Sequence, residues 1–151
     1  MAEMMFAQMT RERNCAGQFE IASAATSAEE IVGDIYPPAK ACLRRHGIPI
    51  TPRQARQMTT GDYHHYDRIF VMDTYNLHHL HHSMPHIVQR DSAGHYTDPE
   101  GKISRLMELT GSGRDVADPW YTGNFEQTYR DLNEALHILI DQHSPRPEEK
   151  P

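Results

Sequence analysis

Cysteine is scarce in this chain. Cys15 and Cys42 are the only two in 151 residues, too few for the disulfide framework of a small secreted domain. No apolar run approaches the roughly 20 residues that a membrane-spanning helix needs, and the N-terminus lacks the basic-then-apolar layout of a secretory signal. Positive charge is short as well: 15 basic residues stand against 21 acidic ones, a formal net charge of −6. A general nucleic-acid binder needs a basic face, so that class is excluded. "TGSGRD" (110–115) has glycines, but neither the strand-then-helix setting nor the lysine of a nucleotide loop, and it reads as a flexible lead into residues 118–132. These absences predict a cytoplasmic protein that binds neither membrane nor nucleic acid.

What is present is ordinary for a folded protein, with 38% hydrophobic and 24% charged residues. The length suffices for one domain that buries roughly 70% of its unfolded surface. Residues 1–143 are assigned to that domain, and the charged, proline-rich 144–151 to a loose tail.

The apolar residues Ala2, Met5, Phe6 and Met9 form one helical stripe, with Gly17 as its stop. "FEIASAAT" (19–26) reads as a strand running into a small-residue turn. Pro37 and Pro38 open a helix that ends in basic residues before Gly47. "TTGDYHHYD" suggests one short helical turn, and "RIFVMD" (68–73) a compact strand buried on both faces. "TYNLHHLHHSM" is a further helix, stopped before Pro85. A polar loop then runs to about 101. "KISRLMEL" is ambiguous in type. The clearest helix carries Phe125, Tyr129, Leu132, Leu136 and Leu139 every three or four residues, with a capping-box pattern at Asn124 and Gln127. Alternating strands and helices predict an α/β protein with a mostly parallel sheet, although few strands are visible.

One segment carries chemistry. "DPWYTGNFEQTYRDL" (118–132) joins an acid, a proline and two adjacent aromatics to that last helix. Taken alone, Asp-Pro is a common turn starter, and Trp120 with Tyr121 could simply be core residues.

Along nearly all its length, however, the chain resembles the low-molecular-weight protein tyrosine phosphatases. The stretches that carry the resemblance are "MAE" opening a helix, "SAAT" after a strand, "CLRRHGI" followed by "ARQMT", "YDRIFVMDTYNLHHL", and "DVADPWYTGNFEQTYRDL". It implies a three-layer α/β fold of the phosphotyrosine phosphatase I type, with a small, mostly parallel sheet flanked by helices. It also implies hydrolysis of phosphotyrosine, or in some members phosphoarginine, in protein substrates through a cysteinyl-phosphate intermediate, without metal or cofactor. Asp118 matches the general acid that protonates the leaving tyrosyl oxygen and then serves as base toward water. Trp120 and Tyr121 match the aromatic walls of the cleft, whose flat rings hold a flat substrate with few torsions to freeze. Ser23 matches a serine that supports the phosphate loop, and Ala25 stands where the family more often has glycine.

The family's nucleophile lies in a Cys-x5-Arg-Ser/Thr-Pro loop between the first strand and the first helix, where backbone amides cradle the phosphate and lower the thiol pKa. Its arginine stabilises the transferring phosphoryl group. Neither cysteine here fits: six residues after Cys15 comes Ile21, and six after Cys42 comes Ile48. Cys42 falls within a helix and Cys15 at a helix's C-terminal end, where the dipole disfavours a thiolate. The resemblance puts the first central strand and the whole loop upstream of Met1. The expectation is a start site assigned too late, to be tested by translating the upstream DNA in frame, and a chain inactive as given.

Two other readings are weaker. An arsenate-reductase-like protein needs redox cysteines in the second half of the chain, and none follows Cys42. A non-catalytic, phosphatase-like binding protein would keep the cleft without the reaction. Among the 11 histidines, His78 and His82 in "HHLHHSMPH" sit one helical turn apart, but no cysteine or carboxylate nearby completes a set of ligands. No metal site is predicted.

Overall fold

The computed structural model describes residues 1–27, 36–51, 55–119 and 123–143. Trp120, Tyr121 and the tail 144–151 therefore lie outside the described residues.

Helix α1 (Ala2–Glu12) buries Met4, Met5, Phe6 and Met9. It ends before the expected glycine. Asn14 takes a left-handed φ of 55°, and the Cys15 N–H turns back to the Thr10 carbonyl at 2.9 Å. A short polar side chain tolerates that conformation, so Asn14 does the work assigned to Gly17. Gly17 sits instead within a single 3-10 turn, Ala16–Gln18.

Helix α2 (Pro37–Arg45) begins with its two prolines and ends with Arg44 and Arg45. Gly47 follows at φ +70°, as a helix stop requires. Helix α3 (Thr60–His65) is held by a capping box between Thr59 and Asp62. Strand β1 (Ile69–Val71) leads into α4 (Thr74–Ser83), capped by Asp73 and Asn76. Strands β2 (Gln89–Arg90) and β3 (Tyr96–Thr97) form a small antiparallel hairpin inside the stretch expected to be loop. The ambiguous "KISRLMEL" divides into strand β4 (Ile103–Arg105) and a 3-10 turn, Leu106–Thr110. Helix α5 (Phe125–His143) closes the described chain, and the Asn124 side chain accepts the Gln127 N–H at 3.0 Å.

Strands β1 and β4 pair in parallel, Ile69 with Ile103 and Val71 with Arg105. The side chains of β1 alternate between two apolar layers, as the two-residue period of a strand demands. Phe70 and Met72 pack against the cluster built by α1, α5, Leu106 and Met107. Ile69 and Val71 belong with Tyr63, Leu80, Met84, Ile87 and Val88 on the other face. The fold is α/β, a small parallel sheet flanked by helices.

The segment 19–26 forms no strand. Its one ladder contact is an isolated parallel bridge from Ala25 to Gln57, with the Ala25 N–H on Arg56 O at 2.7 Å and the Met58 N–H on Ala25 O at 2.8 Å. A strand is defined by its partners, and on the side toward β1 it has a cavity of about 620 Å³ walled by Phe19, Ile21, Ala24, Phe70 and Met72. The same cavity runs along the edge of β1 opposite β4 and leaves Ile69 and Phe70 only half-buried, although both faces of the strand carry an apolar layer. Among the described residues no helix is long and apolar enough to cross a membrane.

Candidate active site

Three segments converge at the C-terminal end of β1, the end of a parallel strand outside which α/β proteins bind their ligands. Asn76, at the start of α4, accepts the Met72 and Asp73 amides through its Oδ1 at 2.9 and 3.2 Å. Its Nδ2 donates to Thr26 Oγ1 at 3.4 Å, which ties the 19–26 segment to this point. From the other side, the Val116 N–H donates to the Met72 carbonyl at 3.0 Å. Ser23, exposed, lines the cavity with Thr26, Met72 and Asn76. Asp118, also exposed, comes two residues after the buried Val116.

The residue before Asp118 is clamped on both its polar groups. The Ala117 N–H donates to Asp131 Oδ2 at 3.0 Å, and the Ala117 carbonyl accepts from Thr128 Oγ1 at 2.6 Å. Both partners project from the buried face of α5, and Asp131 is only 2% exposed. A buried carboxylate needs full hydrogen bonding, and it has it: Arg114 Nη2 and Nη1 at 2.7 and 2.9 Å, Gln127 Nε2 at 2.9 Å, and the Ala117 amide. The Arg114 guanidinium, together with those neighbouring donors, lowers the Asp131 pKa to about 2 against the resistance of burial.

Just upstream, Arg105 Nη1 donates to Gly113 O at 2.8 Å and to Asp115 Oδ1 at 3.0 Å, and Thr74 Oγ1 reaches Asp115 at 3.3 Å. The 110–115 lead is thus strapped to β4, α4 and α5. This corrects its expected flexibility: Arg114 and Asp115 are anchors.

Thr128 and Asp131 were missed by sequence reasoning as positioning residues. The signal was available, because they interrupt the apolar face of α5 beside Leu132 and Ala135, where an unpaired acid would be costly.

The two cysteines are buried and free. Cys42 lies within α2, and its thiol pKa is pushed up, first by burial and then by the Glu126 carboxylate, which opposes a nucleophilic role. Cys15 is at the end of α1, as expected. In the histidine run, His78 Nδ1 meets Tyr96 Oη at 3.2 Å and His81 Nδ1 meets the Val88 carbonyl at 2.7 Å. Among the described residues this run builds no three-ligand cluster.

Comparison with known proteins gives the family. The sequence profile of the family described as low molecular weight phosphotyrosine protein phosphatase matches residues 1–146. The chain belongs to that family. It is 30% identical over 142 residues to the low molecular weight protein-tyrosine-phosphatase YfkJ of Bacillus subtilis, covering 93% of this chain and 84% of that one. It is 34% identical over 144 residues to the low molecular weight phosphotyrosine protein phosphatase of Gallus gallus, covering 93% and 85%. The crystal structure of YfkJ superimposes with a TM-score of 0.77 at 25% identity, covering 95% of this chain and 86% of that one.

Proposed function

We propose that the chain carries the proton-transfer half of a phosphotyrosine phosphatase site. Asp118 is the general acid toward the tyrosyl oxygen and then the base toward water. Trp120 and Tyr121, assigned by the sequence resemblance, flank the substrate ring, and Ser23 supports the phosphate-binding loop. Substrates are phosphotyrosine proteins, with phosphoarginine the alternative. The two free cysteines suit a reducing compartment such as the cytoplasm.

The observation that carries this reading is the two-sided clamp on Ala117. Asp131 and Thr128 fix the backbone one residue before Asp118, so an exposed carboxylate is delivered from a rigid base at the end of β1. General acids act through positioned protons, and a phenolate leaves poorly unless protonated. The attacking thiolate and the phosphate-binding arginine of this reaction belong to a Cys-x5-Arg loop, a pattern that the 151 residues do not contain. On its own the chain is therefore catalytically silent.

A chimera tests the acid role. A strand and a Cys-x5-Arg-Ser/Thr-Pro loop of the family pattern, joined ahead of Met1, should give turnover of phenyl phosphate. Asp118→Asn should then lower kcat about 100-fold or more on that poor leaving group, and less on better ones. An unchanged kcat in the Asn variant would refute the assignment.

A further inference from the structure

Away from the acid loop, the end of α2 meets the first turn of α5 in a cluster that the phosphatase reading does not use. Cys42 and His46 are four residues apart, so both side chains emerge from one face of the last turn of α2. Glu126, in the first turn of α5, reaches back between them. Cys42 Sγ lies 3.5 Å from Glu126 Oε1, and His46 Nε2 lies 2.7 Å from Glu126 Oε2. One ligand atom from each of the three falls within 4.8 Å of the others. We propose that Cys42, His46 and Glu126 form a binding site for a single divalent ion of the zinc class, with water as the fourth ligand.

The donor set suits that ion. One thiolate, one imidazole nitrogen and one carboxylate oxygen are the ligands borderline-soft zinc takes, at about 2.0–2.3 Å in tetrahedral array. Such bonds put neighbouring ligand atoms roughly 3–4 Å apart. The three lie within 4.8 Å here, so side-chain shifts on the order of an ångström bring them into coordination.

The ligands are also pre-organised. The His46 ring is stacked on Tyr129, with centroids 3.6 Å apart and planes 8° from parallel, which fixes its orientation. Cys42 is fully buried beneath, while the side chains of His46 and Glu126 are 32% and 39% exposed. An ion thus reaches the site from the solvent side, past the exposed edges of His46 and Glu126.

Charge balance favours the ion as well. Glu126 now holds Arg45, whose Nη2 and Nε lie 2.7 and 3.0 Å from Oε1. Arg45 is 55% exposed and swings into water at little expense. The ion takes its place, the thiol proton passes to the buffer, and thiolate plus carboxylate neutralise the two positive charges. The bound ion would clamp α2 to the start of α5, the helix whose next turns hold Ala117.

Cobalt(II), a coloured stand-in for zinc, is the probe. Titrated into the purified chain, it should bind one ion per chain and give a thiolate-to-cobalt charge-transfer band, displaced by zinc. The band should vanish in Cys42→Ser and persist in Cys15→Ser and in the His78→Ala/His82→Ala double variant. Because Cys42 is buried and its replacement risks unfolding the chain, Glu126→Gln provides an independent arm. Circular dichroism should find that variant folded, with affinity lowered about 10-fold or more. A wild-type chain without the band, a band that is lost with Cys15, or a Glu126→Gln variant of unchanged affinity overturns the proposal.

Discussion

Asp131 and Arg114 form a two-pronged pair at 2.7 and 2.9 Å, with the carboxylate buried and the guanidinium half in water. The pair joins α5 to the loop that ends in Asp118. Removing the carboxylate would free Arg114 into solvent but orphan the Ala117 amide and the Gln127 side chain. Asp131→Ala should therefore destabilise the chain by about 2 kcal/mol, read from urea denaturation midpoints. A double-mutant cycle with Arg114→Gln should show a coupling of at least about 0.5 kcal/mol.

The same carboxylate sets an acid limit on stability. Its folded pKa is depressed to about 2 from an ordinary 3.8. Its contribution is therefore complete above the unfolded value, and it is lost as pH falls from about 4 toward 2. The amount at stake is about 2 kcal/mol. Asp131→Asn should flatten this part of the curve of denaturation midpoint against pH, while leaving the region above pH 5 without slope from this group.

Tyr63 buttresses the other layer. It is 1% exposed, its hydroxyl donates to Asp98 Oδ2 at 2.7 Å, and it accepts the Glu100 amide at 2.9 Å. Tyr63→Phe keeps the packing but removes the oxygen that accepts the Glu100 amide and one of the two donors to Asp98 Oδ2, the Lys102 amide at 2.7 Å remaining. The expected cost is about 1–2 kcal/mol in denaturation midpoint.

The edge of β1 gives a prediction at single-residue resolution. The Ile69 N–H donates to Lys102 O at 3.0 Å, so strand parity directs the backbone of Ile69 and Val71 to β4 and that of Phe70 to the cavity. Amide exchange of Phe70 should be at least about tenfold faster than that of Ile69 and Val71. Equal protection across the three would mean that the cavity side of β1 is paired.

Much of this was legible in the sequence because it is local. Helix periodicity, the Asn124 cap and the strand read at 68–73, observed at 69–71, are each written within a dozen neighbouring residues. The resemblance named Asp118 as an expectation; what the fold shows is that the residue before it, Ala117, is braced by Asp131 and Thr128. What sequence hid is non-local. Segment 19–26 has strand composition, yet a ladder depends on a neighbour that composition cannot supply. Arg114 was dismissed with its glycines because its partner lies 17 residues on. Cys42 and Glu126 are separated by 84 positions, so no spacing rule connects them. The β2–β3 hairpin is two residues per strand, too short to leave an alternation.

The most direct test of the account is turnover of p-nitrophenyl phosphate by the purified 151-residue chain. On the role proposed for Asp118, the expected result is no hydrolysis above buffer, because the 151 residues contain no Cys-x5-Arg pattern to supply the thiolate and arginine. Hydrolysis that falls in Asp118→Asn and is abolished by alkylating Cys15 or Cys42 would contradict it.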